Sequence, residues 1–271
     1  MRINTNLNAM IATNQMSKNT ALAGSSMEKL STGLRITKAG DDAAGLAVSE
    51  KMRAQIRGME QAERNVQDGI SMVQTAEGAL EEAGNIAQRM RELGVQAGND
   101  TLSDDDRNKV KEELTQLQDE MKKISEETKF NGKQLLNAAG TFTIQAGANS
   151  ETRTVKTADL SSIAKNIGLT SSTNISSSSD AQSFVTKVDD ALKAINAARS
   201  DLGAMQNRLE YTANNLTTST ENLTAAESRI RDVDVAKEMV TLSKLNILNQ
   251  ASQAMVSQAK QQPESVSQLL R

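Results

Sequence analysis

Residues 184–233 read FVTKVDDALKAINAARSDLGAMQNRLEYTANNLTTSTENLTAAESRIRDV, and their spacing decides the fold. Val188, Ile195, Leu202, Leu209, Leu216, Leu223 and Ile230 recur at every seventh position. Phe184, Ala191, Ala198, Met205, Thr212, Ser219, Ala226 and Val233 interleave with them, so the stripe advances in alternating steps of four and three. Such a run, unbroken by proline, is the seam of a coiled-coil helix. At about 1.5 Å per residue it extends for roughly 75 Å.

The N-terminal half carries a matching pattern. Met52, Met59, Val66, Val73, Leu80 and Ala87 keep the seven-residue step, and Ile86, Met90, Leu93 and Ala97 continue it in a shifted phase. This predicts a helix over about 44–98, and the C-terminal stripe predicts one over 180–233. Val110, Leu114, Leu117, Met121, Ile124 and Thr128 predict a third over 104–129, with Ser103 as its N-cap and Asp104 to Asp106 on its positive end. Gly58, Gly69, Gly78, Gly84 and Gly94 interrupt the first long helix and read as places where a neighbour packs closely. Such notches would also ease small slides between helices.

Periodicity changes at the centre. Phe142, Ile144 and Ala146 alternate with polar residues, Gly147 to Ser150 supply a turn, and Thr152 to Lys156 return, so 141–156 reads as a β-hairpin. A Ser-rich loop follows at 170–179. The outer ends form another pair, helical over 3–34 and 236–260, with Pro263 expected to lie beyond the second. The fold class is therefore mainly α: an elongated antiparallel bundle with a small hairpin and terminal helices paired at one tip. Residues 1–35 and 234–271 are expected to form a terminal domain, and 36–233 a rod domain.

Composition narrows the chemistry. The 271 residues include no His, Cys or Trp, with 31 Lys+Arg against 34 Asp+Glu. Imidazole and thiol catalysis, zinc fingers and disulfides are excluded. The net charge of −3 gives no basic face for nucleic acid. No run reaches the ~18 apolar residues that span a membrane, and the N-terminus lacks the apolar core of a cleaved signal peptide. Asp41-Asp42 and Asp104 to Asp106 lack EF-hand order and read as helix-start acids. Ser26 to Lys29 and Ser162 to Lys165 match S-x-x-K without a K-T-G box, and no Gly-rich phosphate loop is present. An enzyme, a cofactor and a metal are not expected.

The terminal pair is the informative part. Two helices alone leave the broad apolar surface of 236–260 in water, and packing against the same pair in other copies removes it. If the contact is head-to-tail and does not close, a helical filament results. Ile3, Leu7, Met10, Ile11, Leu245, Leu248 and Met255 are the expected polymerisation residues, ordered on assembly.

Several blocks also resemble a known family. Leu30 to Ile36 (LSTGLRI), Asp41 to Leu46 (DDAAGL), Gln74 to Leu80 (QTAEGAL), Arg89 to Leu93 (RMREL), Val95 to Ala97 and Phe130-Asn131-Gly132 resemble the N-terminal signature of bacterial flagellin. Gly203 to Leu209 (GAMQNRL) and Ala226 to Asp232 (AESRIRD) resemble its C-terminal signature. Together they cover about 1–137 and 180–271. The resemblance implies a filament subunit for swimming, exported through the flagellar type III apparatus, with terminal helices lining an inner tube. It also implies an export chaperone, a filament cap and hook-associated proteins as partners. It implies a short form without large outer domains, whose Ser-rich loop is a candidate for O-glycosylation. The family's innate-immune receptor site maps onto Arg89, Leu93, Gln96 and Glu113, a face that equally suits contact between subunits. A hook–filament junction protein and an intracellular coiled-coil scaffold are the alternative readings.

Overall fold

The protein is described from a computed structural model covering residues 6–168, 175 and 177–269, with side chains through residue 261. Among the described residues, six helices and two small hairpins follow the chain: α1 (Leu7–Thr32), α2 (Ala43–Ala97), α3 (Asp104–Glu127), β1 (Lys129–Phe130), β2 (Lys133–Gln134), β3 (Thr141–Gln145), β4 (Thr152–Lys156), α4 (Leu160–Ile167), α5 (Ser178–Arg231) and α6 (Val235–Leu269). They fall into two compact units. One comprises Met1–Gln55 with Glu221–Arg271, and the other Ile56–Thr220. The expected boundaries at 35 and 234 fall inside the first unit.

In the first unit α1 and α6 run antiparallel. The covered positions of α1 include Ala9, Ala12, Met16, Asn19, Ala23 and Ser26, matched on α6 by Leu242, Leu245, Asn249, Ser252, Val256 and Ala259. Both sets advance by threes and fours, the coiled-coil spacing, yet half of the larger seam residues are polar. Gly33 ends α1 in the left-handed region at φ 71°, where a missing Cβ removes the steric cost. The connectors beyond it pair as a β-bridge between Leu34 and Asp232. Arg35 N donates to the Arg231 carbonyl at 2.6 Å, and Val233 N to that of Gly33 at 3.0 Å. Ile36 is buried beneath. Arg231 Nη1 donates to Glu50 Oε1, and Arg53 Nε lies 3.4 Å from Glu227 Oε1, so the ends of both long helices belong with the terminal pair.

The second unit holds the main core. Four of the cross-links from α2 and the adjoining Gly98 to α5 show residue numbers rising on one helix and falling on the other. They are Glu63 with Thr217 (3.2 Å), Glu77 with Arg199 (3.5 Å), Asp189 with Arg91 (2.6 Å), and the Gly98 carbonyl with Ser178 (2.8 Å). Between them lie Val66, Val73, Leu80 and Met90 of α2 against Phe184, Ile195, Leu202 and Leu209 of α5, all buried. The third helix buries Val110, Leu114 and Met121, as its spacing predicts. Ser103 caps it in a box with Asp106.

Several expectations need correction. The third helix ends at Glu127 rather than 129, because Asn131-Gly132, both at positive φ (49° and 77°), turn the chain into the β1–β2 hairpin. The short α4, capped by Asp159, has no apolar period long enough to be seen in the sequence. Of the five glycines, Gly58, Gly69 and Gly94 are packing notches. A Cβ on Gly58 would come within 2.8 Å of the Ala148 Cβ, one on Gly69 would strike Ile144 Cδ1, and one on Gly94 would lie 2.9 Å from Val185 Cγ2. Gly78 has nothing within 4 Å, and Gly84 meets only Ile195 Cγ2 at an ordinary 3.8 Å. The 141–156 hairpin forms as expected, with Phe142 opposite Val155. In the Ser-rich loop, residues 170–174 and 176 lie outside the described residues.

Pro263 does not lie beyond α6, which continues to Leu269. A helical proline has no N–H for the carbonyl four residues earlier, here Ala259. That oxygen accepts Asn6 Nδ2 at 2.6 Å instead.

Candidate functional site

Two surfaces answer to the residues singled out above. The first is the outside of the terminal pair. Leu7, Met10, Ile11, Leu248 and Met255 are exposed there, Ile11 by 58%. They belong to a larger set that the site reading omitted: Leu22 and Met27 on α1, and Val235, Met239, Val240 (70% exposed) and Ile247 on α6. Leu245 is different. It is only 8% exposed and sits in the seam between the helices. Ile3 lies outside the described residues.

The exposed apolar residues form two shallow grooves. One, of about 470 Å³, runs along α6 between Met239 and Leu248, with Lys244 at its edge. The other, of about 520 Å³, lies between α1 and α6 and includes Ile11, Asn19, Leu248 and Met255. A contiguous apolar surface of this kind, on helices whose mutual seam is already closed, marks a place for another protein surface.

The second surface is the α2–α3 face. Arg89 grips Glu113 with Nη2 at 2.9 Å and Nε at 3.2 Å, and reaches Glu92 Oε2 with Nη1 at 3.1 Å. The bonds to Glu113 and then Glu92 raise the guanidinium above its ordinary pKa, so its charge is fixed. Gln96 is exposed beside this cluster. Leu93 is not part of the face: it is 2% exposed and packs inward. Steps of four and three from Arg89 to Gln96 look like one stripe in sequence. On α2 they straddle the boundary between core and solvent, so the middle residue belongs to the core.

Among the described residues, no helix is long and apolar enough to cross a membrane. No cluster of three or more carboxylates is disposed to hold a metal ion among them either.

Comparison with known proteins decides the family. The bacterial flagellin N-terminal helical region matches residues 3–141, and the bacterial flagellin C-terminal helical region matches 185–270. The chain belongs to the flagellin family. It is 54% identical to a flagellin of Halalkalibacterium halodurans over 276 residues, covering 100% of both chains. A Bacillus subtilis flagellin is 48% identical over 312 residues, again covering both in full. The Treponema phagedenis flagellar filament 33 kDa core protein is 45% identical over 286 residues, with the same coverage. Among solved structures, Bacillus cereus flagellin aligns with a TM-score of 0.50 at 35% identity, covering 60% of this chain and 94% of that one. In this flagellin the family signatures Leu30–Ile36 and Ala226–Asp232 contain the two residues joined by the Leu34–Asp232 bridge.

Proposed function

We propose that this flagellin self-polymerises into the helical filament used for bacterial swimming, and that the outer apolar faces of α1 and α6 are its assembly surfaces. The observation that carries this is an inversion of polarity. Asn19 and Ser26 are buried between the two helices, while Ile11, Leu22, Val240 and Ile247 face water. A helix pair that spends part of its seam on polar residues and leaves this many aliphatics outside completes its burial against further copies of itself. When such contacts repeat without closing, they generate a filament.

The protein is a structural subunit of an extracellular filament. The finer expectations remain part of the same proposal. The terminal segments 1–35 and 234–271 order on assembly and line the inner tube, with 36–233 outside them. The chain is exported without a cleaved signal peptide, works with an export chaperone, a filament cap and hook-associated proteins, and catalyses nothing. The exposed Arg89, Gln96 and Glu113 contact a neighbouring subunit and offer a determinant to a host innate immune receptor.

Seeded elongation tests the assembly surfaces. Purified protein added to sheared filament fragments should extend them. Ile11→Asp and Val240→Asp should each raise the concentration needed by about tenfold or more, with an unchanged melting transition of the second unit. Elongation at the parental rate by both variants would overturn the assignment.

A further inference from the structure

The middle of the terminal pair, residues 7–27 of α1 and 239–259 of α6, contains one lysine on each helix and no arginine or carboxylate. Both lysines stand within the outer aliphatic stripes. Lys18 falls between Ile11 and Leu22 in steps of seven and four, and Lys244 between Val240 and Leu248 in two steps of four, so each shares its helix face with exposed aliphatics. Lys244 also lines the groove of about 470 Å³. Both lysines are exposed, and neither makes an ion pair among the described residues.

An ammonium on a surface that becomes buried must keep its water or find a carboxylate, because an unpaired charge in a dry contact is strongly destabilising. A neighbour cannot supply that carboxylate from the same level, since the same stretches of a second copy hold only Lys18 and Lys244. Level stacking would set like charges against each other.

An acidic counterpart lies where α5 turns into α6. Asp232 and Asp234 are exposed and Glu238 is half-buried, and none of the three makes an ion pair among the described residues. Asp232 Oδ2 accepts the Ser228 hydroxyl at 2.6 Å and Asp234 Oδ1 the Lys237 N–H at 3.1 Å, which leaves each carboxylate with free lone pairs. Arg231, the adjacent cation, is engaged by Glu50.

We propose that Lys18 and Lys244 of one copy pair with Asp232, Asp234 and Glu238 of the next. The contact staggers neighbouring terminal pairs by roughly 10–25 Å, the rise of helix between the two charged sets. Lysines and carboxylates lie on different parts of the chain, so parallel copies repeat the contact without closing it. Apolar burial holds the copies together, and the charges select their offset. This rests on the assembly reading above, in which the outer faces of α1 and α6 meet a second copy.

Zero-length cross-linking tests the pairing. Filaments grown from equal parts of nitrogen-15-labelled and unlabelled protein are treated with a water-soluble carbodiimide, which joins an ammonium to a carboxylate in contact. Links that mix the two isotopes join different copies. Mixed links from Lys18 and Lys244 to the segment containing Asp232, Asp234 and Glu238 are expected, with Lys38–Glu28, an ion pair of 2.7 Å within one copy, as the positive control. Lys244→Glu should raise the concentration needed for elongation about tenfold or more, and Lys244→Glu with Glu238→Lys should recover most of that loss. Mixed links from the two lysines to other carboxylates only, their absence while Lys38–Glu28 links form, or parental elongation by Lys244→Glu overturns the pairing. Failure of the unaltered protein to extend seeds overturns the assembly reading and this pairing with it, whereas elongation without the mixed links overturns the pairing alone.

Discussion

Asn6 holds both terminal helices with one side chain: its Oδ1 accepts the Ala9 N–H at 3.1 Å and caps α1, while its Nδ2 donates to the Ala259 carbonyl at 2.6 Å. The second bond exists because Pro263 has no N–H to offer that carbonyl. Asparagine is suited to this position, since aspartate caps a helix equally well but has no hydrogen to give.

Asn6→Asp therefore separates the two jobs. The cap survives and the clip to Ala259 is lost, so the concentration needed for elongation should rise about fivefold, the equivalent of one hydrogen bond near 1 kcal/mol. Asn6→Ala removes both and should be worse. Sedimentation of filaments over a concentration series measures the difference; equal behaviour of Asp and Ala would assign the whole effect to the clip, and parental behaviour of Asp would assign it to the cap.

Glycine substitutions should sort by what surrounds each one. Gly78 has open space, so Gly78→Ala should raise stability by up to about 1 kcal/mol through helix propensity alone. Gly94→Ala must push against Val185 Cγ2 at 2.9 Å and Phe184 Cδ1 at 3.0 Å, with Phe184 fully buried. Overpacking there costs about 1–3 kcal/mol and outweighs the propensity gain. Calorimetry should show the first variant melting higher than the parent and the second lower.

Leu93 and Arg89 should part company in the same assay. Leu93→Ala removes a buried side chain and should cost about 2–5 kcal/mol, whereas Arg89→Ala cuts only exposed ion pairs, which water and salt screen to little effect. A receptor-binding loss in Leu93→Ala must then be compared with the folded fraction of that variant. A near-neutral melting temperature for Leu93→Ala would place the side chain on the surface after all.

Acid should act through Asp106. Bonds from Ser103, first its hydroxyl at 2.7 Å and then its backbone N–H, hold this carboxyl below its usual value of 3.8. A depressed carboxyl adds stability that is complete above the unfolded value and disappears as pH falls through the lower folded value. Asp41, held down by the Lys38 and Thr37 N–H groups, acts in the same direction. Melting temperatures measured from about pH 6 to about pH 2 should fall on the acid side, and Asp106→Asn should flatten that limb.

The features legible in the sequence are those carried by period. Val188 to Ile230 and Val110 to Thr128 announce helices because burial repeats with the turn of the helix, and the Phe142–Ile144–Ala146 alternation announces a strand for the same reason. Features set by partners stayed hidden. Pro263 reads as a stop until the Asn6 amide is seen on the Ala259 carbonyl. Gly78 and Gly94 look alike until their neighbours are known. Leu93 stands in two stripes at once, the apolar run Met90–Leu93–Ala97 and the mixed run Arg89–Leu93–Gln96, and its burial with Met90 and Ala97 decides for the first. The polar seam had a faint signature in Ala12, Asn19 and Ser26, and in Leu245, Ser252 and Ala259, each at seven-residue spacing. Aliphatic residues at neighbouring positions outshone it.

The bridge between Leu34 and Asp232 joins residues on opposite sides of the whole Ile56–Thr220 unit, and the unit it belongs to is made of Met1–Gln55 and Glu221–Arg271. Nothing on either side can complete that unit while the other is missing. A chain delivered end first, in whichever direction, must therefore carry half of its unit without a partner until the last residues arrive. The Ile56–Thr220 unit is contiguous and can form before then. Closing so long a loop is also slow compared with making local helix. The subunit thus has a built-in delay: its adhesive ends mature last, after the rest of the molecule is in place.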